Sequence, residues 1–304
     1  MLYGKLLKID NYRAKEIAKV LKEIFNENNL NAFVEIDPQY KALKKIYLST
    51  RNKGLTVIIT IANSLISYQL SGKGEDYWSE VGNFFSKTKV GDYKQLYVLF
   101  TDFLTKYTKY NRIRILNKLR RLSIFLNSRI IDRLYISPCL YSTDQYPLLK
   151  ILSEIMKQSI YAKTIIFSVK MYYYVARILC ENTVPDPRIP MPIDRRIAYI
   201  SFTSGLIKIS NKTCLEDLKD IIYRLMQSRN RDNIVKAWLI LSKYSGIPCI
   251  LLDTIVWIMG RYVSPFKDID EMTGEFISNY GLILSPDSIR KIFAQFAYAF
   301  TSYS

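Results

Sequence analysis

A chain of 304 residues that is 49% hydrophobic, with 24 Tyr, 14 Phe and 3 Trp, can bury a large core in one domain or two intimate lobes. It has no histidine, which removes Ser-His-Asp and Cys-His nucleophile pairs, HExxH zinc sites and imidazole acid–base chemistry. A formal net charge of +17 points to a polyanionic partner, most economically nucleic acid, the plainer alternative being a lysine-rich surface of the heat-adapted kind.

The opening "MLYGKLLKID" carries charge from the outset and has no signal-peptide core, so a cytoplasmic protein is expected. "YRAKEIAKVLKEIF" then sets Ile17, Val20, Leu21, Ile24 and Phe25 on one helical face. In "DPQYKALKKIYL", Asp37 reads as an N-cap, Pro38 as the first helical residue, and Gln39 falls in the opening turn. Gly54 to Gly72 is free of charge but broken by Thr56, Thr60, Asn63, Ser64, Ser67 and Gln69. A lipid-facing helix disfavours that many polar groups, so the segment reads as a central buried helix near Leu55–Leu70 and no membrane partner is expected.

Helical periodicity continues at Asp76–Ser86, Tyr93–Lys106, Arg112–Leu126, Lys150–Gln158 and Lys163–Cys180. It resumes after a proline-rich segment at Asp194–Leu206, Leu215–Gln227, Asn233–Tyr244, Ile250–Val263, Asp270–Asn279 and Pro286–Phe300. Strand alternation is scarce, and neither a linker nor a repeat divides the chain, so the class is all-α in a single domain spanning 1–304. Cys139, Cys180, Cys214 and Cys249 are far apart with no CxxC. They read as buried, reduced thiols, and neither metal nor cofactor is expected.

Three stretches carry candidate chemistry. "KYTKYNRIRILNKLRR", from Lys106 to Arg121, is the densest basic region and is interleaved with tyrosines. It either tracks phosphates, with Tyr107 and Tyr110 stacking, or forms a solvated helix face above an apolar stripe of Ile113, Leu116 and Leu119. In "AKTIIFSVKM", Lys163, Phe167 and Lys170 share one helical stripe, with Ile165, Val169 and Tyr172 opposite. Spacing alone is equally consistent with two lysines that snorkel from a half-buried helix. In "VPDPRIPMPIDRRIAYIS", four prolines make a stiff approach that delivers Asp194 to a helix start. That carboxylate is either an ordinary cap or a group whose position matters.

Several separated segments together resemble the archaeal 8-oxoguanine DNA glycosylases, a divergent branch of the helix-hairpin-helix glycosylase superfamily. They are "DPQY" around Gln39, "ANSLISYQLSGKGEDYW" ending at Trp78, "KTIIFSVK" from Lys163, "IPMPIDRRIAYIS" around Asp194, and "GIPCILLDTIVWIMGRYV" with Asp253 and Trp257. The hairpin "KQSIYAKT" lacks the Leu-Pro-Gly-Val-Gly of the wider superfamily, and the interval from lysine to aspartate is longer, two features shared by the archaeal branch. The resemblance implies Lys163 as nucleophile and Asp194 as catalytic aspartate, with Gln39, Trp78, Phe167, Lys170, Asp253 and Trp257 forming the pocket for an extruded base. Lysine attacks only when unprotonated, which desolvation and a second cation at Lys170 would favour.

The implied protein is a monomeric, metal-free and cofactor-free glycosylase and β-lyase acting on 8-oxoguanine in damaged DNA. Its fold would have two lobes, one of residues 50–155 and one of 1–49 plus 156–304, with DNA in a cleft between them. A non-catalytic helical nucleic-acid-binding protein explains the charge equally well, and a glycosylase or lyase for another lesion would differ only in its pocket.

Overall fold

The computed structural model describes residues 7–209, 222–223, 226 and 228–301. The helix expected over Leu215–Gln227 falls almost wholly outside them, as does Cys214. The described chain divides into unit 1, residues up to 34 and from 190 onward, and unit 2, residues 35–189.

In unit 1, β1 (Leu7–Ile9) pairs antiparallel with β2 (Ile207–Ile209), Lys8 facing Lys208. Helix α1 (Asn11–Ile24) is capped by Asp10, whose side chain accepts from the Arg13 N–H, and buries Ala14, Ile17, Ala18 and Leu21. That face packs on α12 (Ser228–Ser245) and α15 (Pro286–Phe296). Helix α11 (Arg195–Thr203) lies against α13 (Cys249–Met259), and α14 (Ile269–Tyr280) and a final turn, α16 (Tyr298–Thr301), complete the described part.

Unit 2 is centred on α4 (Lys53–Ile66), buried from Gly54 to Ile66. Its polar residues do not contradict that burial: the hydroxyls of Thr56, Thr60, Ser64 and Ser67 each donate to the carbonyl four residues back at 2.7 Å. Each hydroxyl is thereby satisfied inside its own helix. Helix α10 (Lys163–Leu179) lies along α4, and α3 (Pro38–Thr50) along α5 (Gly74–Lys87). Two glycines allow close approach. A Cβ on Gly54 would lie 2.2 Å from the Tyr135 carbonyl oxygen of α8 (Ile130–Ile136), and one on Gly82 would meet Ala42 at 3.2 Å.

These contacts place the division at 34/35 and 189/190 instead of the expected 49/50 and 155/156. Helix α3 buries Tyr40, Ala42, Leu43 and Ile46, and α10 buries residues around nearly its whole circumference. Both therefore belong with the helices they cover. Helix α2 (Glu27–Ile36), absent from the periodic reading, has an Asn-rich sequence of low helical propensity and is held by buried Phe33 and Val34. The Tyr93–Lys106 segment is a short 3₁₀ turn (Tyr93–Gln95), α6 (Leu96–Asp102) and a π-type turn (Phe103–Tyr107). Among the described residues no single helix is long and apolar enough to cross a membrane.

The expectation of reduced thiols fails for one pair. Cys139 and Cys180 form a disulfide with their Cα atoms 5.8 Å apart, joining the segment after α8 to the end of α10. Separation along the chain does not report separation in space. Cys249 is a buried free thiol, pushed up to about 12 by desolvation. Closing a loop of 41 residues removes unfolded-state entropy worth about 4 kcal/mol. Replacing Cys139 and Cys180 by serine should therefore lower the guanidinium midpoint by an amount equivalent to about 2–4 kcal/mol. An unchanged midpoint would mean that the bond contributes nothing in solution.

Candidate active site

In unit 2, Asp37 caps α3 and is completely buried, its Oδ1 accepting from the Gln39 N–H at 2.8 Å. Its Oδ2 accepts from the Tyr174 hydroxyl at 2.8 Å and lies 3.9 Å from Lys170 Nζ. Lys170 is also fully buried, with its ammonium 5.0 Å from the Tyr174 ring. Burial pushes the Asp37 carboxyl above the ordinary aspartate range, opposed by the Lys170 charge and by the Gln39 and Tyr174 hydrogen bonds.

The second cation expected beside Lys163 thus has its own counter-ion. Lys170 is a buried cation paired with Asp37, about two turns along α10 from Lys163. Removing one partner of such a pair leaves the other charge buried alone. Asp37→Asn should cost about 3–5 kcal/mol, and adding Lys170→Met should recover most of it in a denaturant titration. A double variant as unstable as the single would argue that the two groups are not coupled.

One turn before Lys170, Phe167 is 9% exposed, and its ring meets the buried Trp78 of α5 edge-on at 6.1 Å between centroids. One further turn back, half-buried Lys163 opens α10. Gln39 is 3% exposed, and its Oε1 is buried with no hydrogen-bond partner among the described residues. The packing of α3, α5 and α10 therefore gathers an aromatic corner, a buried ion pair and an unfilled acceptor on elements that also carry Lys163. A buried acceptor without a partner is costly, and such atoms call for an explanation.

In unit 1, Asp194 is the N-cap of α11, its Oδ1 accepting from the Ile197 N–H at 2.9 Å. Two residues on, the Arg196 guanidinium lies 5.0 Å over the Trp257 ring and donates to the Trp257 carbonyl. Asp253 is buried one turn before Trp257 on α13. The contact of α11 with α13 thus places Asp194, Asp253 and Trp257 on two neighbouring helices, with Arg196 clasping the tryptophan. The sequence reading missed Arg196, although its offset from Asp194 on the same helix start was a usable signal. It read Asp37 as the cap that it is but missed the pairing of that carboxylate with Lys170 and Tyr174, which depends on contacts between α3 and α10.

The basic run splits in two. Lys106, Lys109, Arg112, Arg114 and Arg120 are exposed, but Lys118 is buried and Arg121 half-buried. On α7 (Ile115–Leu126) the inward face is Lys118, Leu122 and Phe125, and the expected apolar stripe is overturned: Ile113 and Leu116 face solvent. Among the described residues no cluster of three or more Cys, Asp or Glu could hold a metal ion.

A family profile described as N-glycosylase/DNA lyase matches residues 18–284. An N-glycosylase/DNA lyase of Nanoarchaeum equitans is 31% identical over 264 residues, covering 86% of this chain and 98% of that protein. Another, from Pyrobaculum aerophilum, is 31% identical over 250 residues, covering 80% of this chain and 84% of that protein. Among solved structures, an 8-oxoguanosine complex of the 8-oxoguanine DNA glycosylase from Pyrobaculum aerophilum matches with a TM-score of 0.66 at 24% identity, over 90% of this chain and 97% of that one. That last likeness is one of fold.

Proposed function

The chain belongs to the N-glycosylase/DNA lyase family, and we propose that it excises 8-oxoguanine from DNA and then cleaves the abasic strand through Lys163. The formal net charge of +17 supports DNA as partner, and the exposed cations between Lys106 and Arg120 are the groups suited to phosphates. The protein acts as a cytoplasmic monomer and draws on its own side chains.

A base within a duplex is out of reach, so the damaged nucleotide is extruded from the stack. Trp78 and Phe167 offer flat apolar walls to such a base. Gln39 supplies the observation that carries the substrate reading: its buried Oε1 has no hydrogen-bond donor among the described residues. Oxidation converts the guanine N7 from acceptor to N–H donor, so 8-oxoguanine can fill that acceptor, whereas guanine sets two acceptors against each other.

Breaking the N-glycosidic bond develops positive charge on the sugar, and a fixed carboxylate, the role given to Asp194, stabilises it. The Lys163 amine attacks C1′ as the base departs with the glycosidic electron pair, and loss of the amine proton and ring opening give an imine. Loss of a C2′ proton then expels the 3′ phosphate and cuts the strand.

Matched oligonucleotides carrying guanine or 8-oxoguanine test the reading. Wild-type protein should release only the oxidised base, and Gln39→Ala should narrow that discrimination by about 10- to 100-fold, the equivalent of 1–3 kcal/mol for a lost buried hydrogen bond. Equal release of both bases would sink the substrate assignment. Full discrimination by the Gln39 variant would move the readout to another residue.

A further inference from the structure

Two cations of α7 turn inward, and one of them touches the residue beside the nucleophile. Lys118 donates Nζ to Asn111 Oδ1 and lies 4.9 Å from the Tyr68 ring, and desolvation pushes its ammonium down to about 8. Asn111 in turn donates to the Tyr77 hydroxyl at 2.9 Å and to the Ile66 carbonyl at 3.3 Å. Arg121, one turn along α7, has its guanidinium 5.6 Å from the same Tyr68 ring. Its Nε donates to the Leu65 carbonyl at 2.9 Å, and its NH2 donates to Thr164 Oγ1 at 3.0 Å. The Thr164 hydroxyl then donates to Gln158 Oε1 at 3.3 Å, on the hairpin that leads into α10. The Gln158 carbonyl itself accepts from Ser153 Oγ at the end of α9 (Tyr146–Met156).

The first turn of α10 has no side-chain N-cap. Ala162 has no side chain that can cap α10, and the first turn of that helix has no acidic residue. A guanidinium at a helix N-terminus opposes the helix dipole, so electrostatics alone would not place it there. Its planar fork, however, can hold a backbone carbonyl of α4 and a hydroxyl of α10 at once, which a lysine ammonium on a flexible stem does not reproduce. The turn carrying Lys163 is thereby held from the side, by α7, and joined to the hairpin through one hydroxyl.

We propose that Arg121 is a positioning residue for the lyase reaction, fixing through Thr164 the first turn of α10 and hence the direction from which Lys163 reaches the sugar. The proposal rests on Lys163 as nucleophile. Misplacing a reacting group by about 1 Å costs on the order of 100-fold in rate without a matching loss of binding.

The test is single-turnover borohydride trapping at saturating 8-oxoguanine DNA, with DNA affinity and thermal midpoint measured on the same proteins. Thr164→Val, which removes the hydroxyl at nearly constant volume, should slow trapping about 10- to 100-fold, with affinity and midpoint close to wild type. Thr164→Ser, which restores the hydroxyl, should trap at nearly the wild-type rate. Arg121→Lys, which keeps the charge and loses the fork, should be slow, and Arg121→Met with Thr164→Val should be no slower than either alone. Wild-type trapping by Thr164→Val would overturn the proposal, as would a loss in Arg121→Met seen wholly in DNA affinity, which would make Arg121 a phosphate contact. If Arg121→Met fails to fold, the Thr164 pair decides. An adduct mapped to a lysine other than Lys163 would instead fail the nucleophile assignment beneath the proposal, and the proposal with it.

Discussion

Lys163→Gln should yield no borohydride-stable protein–DNA adduct and no strand cleavage, a fall of about 10⁴-fold or more in the lyase rate, while DNA binding persists. An imine needs a primary amine on the attacking residue, and glutamine has none at comparable reach. Peptide mapping of the wild-type adduct should find Lys163. Lys170 lies two turns further along α10, completely buried and 3.9 Å from the Asp37 carboxylate. A sugar carbon cannot reach that ammonium without breaking the ion pair. Undiminished trapping by Lys163→Gln, or an adduct on Lys170, would exchange the roles of the two lysines. Base release without any adduct in the wild type would reduce the protein to a hydrolytic glycosylase.

Asp194→Asn separates charge from capping at a second position. Asparagine caps helices about as well as aspartate, so the bond from the Ile197 N–H and the thermal midpoint should survive. The carboxylate charge does not survive, and a preorganised electrostatic group of this kind supplies about 10²- to 10³-fold in rate. Single-turnover base release should fall by that factor with lesion-DNA affinity retained. If release and midpoint drop together, Asp194 is a cap and no more.

Local patterns in the sequence carried the helices and the stripe of Lys163, Phe167 and Lys170, because helical periodicity and caps are written within a few residues. The cap at Asp194 and the buried character of α4 were legible for the same reason. Contacts between distant segments were not. Nothing near Asp37 announces that it will face Lys170, nor near Cys139 that it will meet Cys180. Lys118 and Arg121 sat in a run that looked uniformly solvated, yet the side of α7 that they share turns inward on Tyr68. Composition could not separate those two from their exposed neighbours, since a cation's partner is chosen by the fold around it.

Unit 2 is one uninterrupted stretch of chain, whereas unit 1 takes residues from before and after it. During synthesis, α1 therefore leaves the ribosome long before α12, the helix that covers its apolar face. At about 5–20 residues per second, roughly 200 intervening residues delay that meeting by about 10–40 s. Unit 2 can complete its own packing in that interval, and α1 waits with Ile17 and Leu21 uncovered. The apolar face of α1 is thus a surface that a chaperone binding emerging chains would shield while unit 2 is made.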